Sequence, residues 1–191
     1  GSILSTLESK DQRAGLFHRV KDKDVPVCGG LLGSMDNIAL ALGCEKTEMT
    51  ALLGRCLEAP IKPRVVTDAP CQQHVLTGQD IDLTQLPVPI HAPLDGGPII
   101  TSGVVVSRGL DGGPQNLSFQ RMHIKDRDKL SIFINEWRHL KDFYDEAERQ
   151  NRPLSIAVVI GADPIVYIGA GLRYDGDELE VAGAVRGGPI E

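Results

Sequence analysis

Seven prolines crowd one stretch of the chain, at Pro60, Pro63, Pro70, Pro87, Pro89, Pro93 and Pro98. Each fixes its own φ and removes a backbone donor, so neither a long helix nor a central strand can run through them. The stretch reads as an ordered connector, with one turn and then extended chain over Ile81–Pro87. What flanks it differs in texture. Residues 1–75 carry helical spacing beside one apolar run, and residues 76–191 become rich in β-branched runs. A chain of 191 residues suits one domain, or one domain plus part of another.

In the first part, Val25–Gly33 predicts a short buried strand that ends in glycines and has no obvious partner. Ser34 or Asp36 caps a short helix, Asn37–Leu42, stopped by Gly43. Thr47 and Thr50 open a second helix, with Met49, Leu52, Leu53, Cys56 and Leu57 on one face, ending before Pro60. So little α/β material is expected to be a piece of a larger domain. Beyond the connector, Ile99–Ser107 predicts a strand, Asp111–Pro114 a turn, and Asn116–Ile124 a second strand completing a hairpin. Leu130–Ile134 and Leu154–Ile160 predict two further strands. Between them lies a helix over Trp137–Gln150 with Leu140, Phe143, Tyr144 and Ala147 on one face. Glu178–Val185 suits either a last strand or a helix start.

Several function classes drop out. With 26 acidic and 20 basic side chains the net charge is −6, unsuited to a nucleic-acid backbone. No apolar run is long enough to span a membrane. Cys28, Cys44, Cys56 and Cys71 form no CxxC pair, so they read as reduced thiols of a cytoplasmic protein. Gly29, Gly30 and Gly33 lack the dinucleotide spacing, and GxxxxGK[ST], HExxH and GxSxG are absent. His74 and His91 have no carboxylate at a useful spacing and read as structural. Gly1 and Ser2 look like the remnant of a cleaved tag. The glycine-rich end, Gly187–Glu191, suggests that the parent chain continues.

The densest polar group is Asn116–His123. As one strand it places Asn116, Ser118, Gln120 and Met122 on one face, and Leu117, Phe119, Arg121 and His123 on the other. Such a strand is either a solvated edge or the lining of a ligand cleft, and periodicity alone leaves both open. Taken singly, His139 passes for a boundary residue of its helix and Glu178 for part of a solvated acidic turn. An amide oxygen, an imidazole nitrogen and a carboxylate together suit Mn²⁺ or Mg²⁺. Asn116, His139 and Glu178 lie 23 and 39 residues apart, which is no local motif.

The stretches Asp80–Pro87, Pro89–His91, Asp95–Pro98, Ile100–Gly103, Asn116–Arg121, Arg138–His139 and Asp177–Ala184 resemble, in order, those of the UbiD family of decarboxylases. The resemblance runs from about Val20 to the end of the chain. It implies an α+β chain: a split β-barrel of the flavin-reductase-like, FMN-binding type, preceded by part of a smaller α/β domain. It also implies reversible, non-oxidative decarboxylation of an aromatic or α,β-unsaturated carboxylic acid. The implied cofactor is prenylated FMN, or FMN, with Mn²⁺ or Mg²⁺ bridging to its phosphate and K⁺ nearby. By motif, Asn116, His139 and Glu178 match the metal ligands. Ser118, Phe119, Gln120 and Arg121 match the strand along the flavin, and Arg138 a neighbouring contact. Ala170, Gly171 and Leu172 match a loop near the phosphate and K⁺, although this version lacks the expected serines. Arg121 matches the arginine of a Glu–Arg–Glu catalytic network whose glutamates are expected beyond Glu191, so the isolated piece is expected to be inactive. Implied partners are a small carboxylic acid, a flavin prenyltransferase as cofactor supplier and further copies of the full-length protein, with no nucleic acid and no membrane. A non-catalytic FMN-binding or structural split-barrel module, and a partner-binding domain, are the other classes the residues allow.

Overall fold

Strand β1 (Gly15–Phe17) supplies the partner that sequence did not reveal for strand β2 (Val27–Gly29), antiparallel, with Gly15 opposite Gly29 and Phe17 opposite Val27. The computed structural model describes residues 6, 7, 13–20 and 23–191. The tag reading at Gly1 and Ser2 falls outside them. After β2 the Ser34 hydroxyl accepts from the Asn37 amide at 3.1 Å and opens helix α1 (Met35–Leu42). Gly43, at φ 67°, closes that helix in the left-handed conformation that glycine adopts without a Cβ penalty. Helix α2 (Met49–Glu58) follows and ends ahead of Pro60, as its apolar spacing predicts. Cys56 is buried in it, burial pushes its thiol pKa up, and all four cysteines are unpaired thiols.

The connector folds as three isolated 3₁₀ turns, Pro70–Gln72, Gly78–Asp80 and Leu83–Gln85. The last sits where one turn is predicted, capped by the Asp82 carboxylate, which accepts from the Thr84 amide at 3.0 Å.

Two predicted runs break. Ile99–Ser107 divides at Thr101–Gly103 into strand β3 (Ile99–Ile100) and strand β4 (Val104–Gly109). Asn116–Ile124 divides at Gln120 into strand β5 (Gly112–Phe119) and strand β6 (Arg121–Asp126). Strand β7 (Lys129–Phe133), helix α3 (His139–Arg149) and strand β8 (Ile156–Val159) follow. The broken halves join different sheets, β3–β6–β7 and β5–β4–β8. Together with β1–β2, these sheets are open, so the described strands do not close the barrel expected from the resemblance. What they form is a mixed α/β arrangement. Helix α4 (Pro164–Gly171), which no periodicity in the sequence predicts, and helix α5 (Glu178–Arg186), where the sequence suits strand or helix, follow.

Close contacts gather the chain into two compact units. One takes the described residues up to Ala51 with His74–Ile100 and His123–Ser131; the other takes Leu52–Gln73, Thr101–Met122 and Ile132–Glu191. The second unit has a buried apolar interior. Val104 lies opposite Phe119 and Val106 opposite Leu117 across the β4–β5 pair, so these four share one sheet face. Val104, Leu117 and Ala170 form a buried cluster there, with Val106, Val166, Tyr167 and Leu179 packed against it. On the edge of α5, the Ile61 amide donates to the Glu180 carbonyl at 2.9 Å and the Arg64 amide to Ile190 at 2.8 Å.

Gly183 makes that close approach possible. A Cβ there would lie 2.6 Å from the Ile61 carbonyl oxygen and 3.2 Å from that of Gly188. Glycine to alanine inside a helix normally stabilises by roughly 1 kcal/mol. Here the sign reverses, because the obstacle is backbone: Gly183→Ala is expected to lower stability by about 1–3 kcal/mol. Urea unfolding checks this, and an unchanged or raised midpoint would refute it.

Candidate functional site

Strand β5, the first residue of α3 and the first residue of α5 bring Asn116, His139 and Glu178 together within the second unit. Asn116 Nδ2 donates to Glu178 Oε1 at 3.0 Å and stands 3.4 Å from His139 Nδ1. The Leu117 amide donates to Glu178 Oε2 at 2.9 Å. Two successive strand residues, 62 and 61 positions before Glu178, thus hydrogen-bond its two carboxylate oxygens. Asp177 caps α5 by accepting from the Leu179 amide at 2.9 Å, and its second oxygen accepts from Gln115 Nε2 at 3.2 Å. Gln115 and Asn116 therefore tie the strand to two successive residues at the helix start.

Glu178 is 2% exposed. Burial, the largest influence, raises its pKa above the usual carboxylate range; the Leu117 and Glu178 amides, the Asn116 side chain and the His139 ring oppose it. Asn116 is also buried, and among the described residues its Oδ1 has no hydrogen-bond partner. An orphaned buried acceptor costs about 1–3 kcal/mol, which a cation or a donor at that oxygen would offset.

These three residues line a cavity of 890 Å³. Ser118 and Phe119 of β5, Ala170 and Gly171 of α4, and Leu172 beyond it share the wall with Arg138. Ala170 and Gly171 were expected in a loop; they belong to the last turn of a helix, whose final carbonyls have no intrahelical donor. Trp137 reaches the cavity at φ 65°, a left-handed conformation rare for a large side chain, and is 98% exposed. That turn delivers the chain into the extended Arg138, so α3 starts at His139, two residues later than the spacing predicts.

Of the other expected residues, Gln120 is buried and donates to the Ser118 hydroxyl at 3.2 Å, outside the cavity wall. Arg121 begins β6, exposed, and does not line the cavity. Asn116, Ser118 and Gln120 are all buried, which excludes the solvated-edge reading. Asn135, Glu136, Arg173 and Tyr174 complete the wall and were not singled out from sequence. Gln115 and Asp177 were also missed, though Asp177 before Glu-Leu-Glu is a recognisable helix cap. The described residues hold no cluster of three or more His, Cys, Asp or Glu suited to a metal, so a cation here needs the Asn116 amide. No helix among them is long and apolar enough to cross a membrane.

Comparison with known proteins agrees with the residue pattern. The N-terminal domain of 3-octaprenyl-4-hydroxybenzoate carboxy-lyases matches residues 1–57, and the Rift-related domain of the same enzymes matches 64–191. The anhydromevalonate phosphate decarboxylase of Methanothermobacter thermautotrophicus is 34% identical over 178 residues, covering 92% of this chain and 41% of its own. The gallate decarboxylase of Lactiplantibacillus plantarum is 31% identical over 190 residues, covering 93% and 39%. Among solved structures, the UbiD-class enzyme HmfF from Pelotomaculum thermopropionicum in complex with FMN superposes with a TM-score of 0.89 at 36% identity, covering 98% and 43%. An evolved dimeric form of HmfF in complex with prFMN matches equally well, covering 98% and 45%. The chain thus spans about two fifths of the length of the relatives it matches.

Proposed function

Because the chain belongs to the UbiD family of carboxy-lyases, we propose that it builds the flavin and cation cradle of a decarboxylase acting on an aromatic or α,β-unsaturated carboxylic acid. The observation that carries this reading is the orphaned Asn116 Oδ1, buried beside His139 and a doubly hydrogen-bonded Glu178 in one cavity wall. Amide oxygen, imidazole and carboxylate form a donor set for Mn²⁺ or Mg²⁺, and a flavin phosphate would complete it. Arg138 beside them supplies a guanidinium for the phosphate. The carbonyl-rich end of α4, at Ala170, Gly171 and Leu172, offers the donor type that K⁺ takes. Phe119 and Ser118 would flank the flavin ring. Prenylated FMN supplies an electron sink for the charge left on carbon when CO₂ departs.

Arg121, as in the family's network, would orient the substrate carboxylate. The proton donor is then a glutamate outside this chain, and the isolated piece does not turn over. The division into residues 1–75 and 76–191, with a split barrel in the second part, belongs to this reading; the family matches change over between residues 57 and 64, ahead of that division. The unpaired thiols agree with a cytoplasmic setting. Homo-oligomers of the full-length protein, and supply by a flavin prenyltransferase, complete the reading.

The test is spectroscopic. Protein purified from cells with a flavin prenyltransferase is expected to carry a visible spectrum distinct from that of protein made without it. Identical FMN spectra from both preparations would favour a plain FMN-binding module, and colourless protein from both would end the flavin reading.

A further inference from the structure

We infer that Tyr167, which lies outside the cavity, positions the flavin by holding the ring of Phe119. This inference rests on the flavin reading above. Phe119 is the last residue of β5 and part of the cavity wall, and it is 39% exposed. Against it lies Tyr167, on α4, with ring centroids 5.9 Å apart and planes only 10° from parallel. A stacked aromatic pair fixes the tilt of both rings, so the tilt at which Phe119 meets the cavity is set by Tyr167. Tyr167 is itself held at both ends. Its ring packs against the Val104–Leu117–Ala170 cluster. Its hydroxyl accepts from the amides of Gly161 and Ala162, at 3.0 and 3.3 Å. Those amides lie in the turn that leads to Asp163, the cap of α4. The helix whose last turn borders the cavity, and the aromatic ring in the same wall, are therefore aligned by one side chain. A flat cavity wall held at a fixed tilt suits a planar, polycyclic ligand, whose stacking depends on ring angle; a flexible aliphatic ligand would gain nothing from it.

The two contacts of Tyr167 can be separated by substitution. Tyr167→Phe keeps the stack and loses the hydroxyl anchor, whereas Tyr167→Leu loses both. With FMN as the probe, titrated into flavin-stripped protein, Tyr167→Leu is expected to bind roughly three- to tenfold more weakly and to shift the visible band of the bound flavin. Tyr167→Phe should melt at a lower temperature yet keep the parent's affinity and band. Adding Tyr167→Leu to Phe119→Leu should weaken FMN no further than Phe119→Leu alone, since both act through one ring. Parent-like binding by Tyr167→Leu, equal weakening in Tyr167→Phe and Tyr167→Leu, or additive losses in the double variant would each overturn the inference while leaving the flavin reading intact. A parent that does not bind FMN ends both. Should Tyr167→Leu fail to fold, Tyr167→Met takes its place under the same criteria.

Discussion

Glu178→Gln is expected to melt at a higher temperature than the parent when both are free of metal and flavin, and to lose its affinity for Mn²⁺. The opposite signs come from one cause. Glu178 is 2% exposed, and burial raises its pKa despite the hydrogen bonds from Leu117 and Asn116. A carboxylic acid with a raised folded-state pKa binds its proton more tightly folded than unfolded. Stability therefore falls as pH rises from the unfolded value through the folded one, and the penalty is fully present above the folded pKa. Glutamine removes that penalty and preserves the shape, and the unpartnered Asn116 Oδ1 can accept from its amide. The advantage should be largest at pH 8 and shrink towards the ordinary carboxylate value of 4.5. Scanning calorimetry across pH checks this half; a variant less stable than the parent at pH 8 would show that the hydrogen bonds outweigh the burial. The other half is larger. Removing an anionic ligand should weaken Mn²⁺ by more than about 100-fold, beyond the roughly 10–100-fold expected of a residue that only orients a ligand. Metal analysis after dialysis reads it, and unchanged Mn²⁺ would remove Glu178 from the shell.

Leu117→Ala is expected to cost roughly 2–5 kcal/mol, the range for a large aliphatic side chain removed from a tight core. Leu117 is 2% exposed and lies between Val104 of the neighbouring strand and Ala170 of α4. Neither neighbour can grow to fill the space, because Val104 belongs to the central strand and Ala170 faces both cluster and cavity. The Leu117 amide also holds Glu178 Oε2, so a shifted strand would loosen the site as well as the core. Chemical denaturation monitored by circular dichroism measures the loss. A change below about 1 kcal/mol would mean that the cluster relaxes around the hole.

Local chemistry was legible where one residue type decides the outcome. Ser34 and Gly43 bound α1, and Pro60 follows α2, as their spacing predicts. The strand partner of β2 was not, because three residues give no periodicity to read. The breaks at Thr101–Gly103 and Gln120 left only faint marks: Ser102 and Gly103 interrupt the β-branched run, and the apolar alternation changes phase between Phe119 and Met122, whereas the pairing into separate sheets divides both runs outright. Helix α4 escaped because its apolar residues surround it instead of forming a stripe, the mark of an element packed on several sides. The site itself was reached through resemblance. Spacings of 23 and 39 residues carry no local signal, and only the fold places the three side chains within hydrogen-bonding range.

The backbone turn at Trp137 has a practical consequence. It is the sole tryptophan of the chain, and its indole is held out into solvent at the mouth of the cavity instead of in a core. Tryptophan emission, excited selectively on the red edge of the indole band, thus arises at a single point beside the pocket, a native reporter of occupancy that needs no added label.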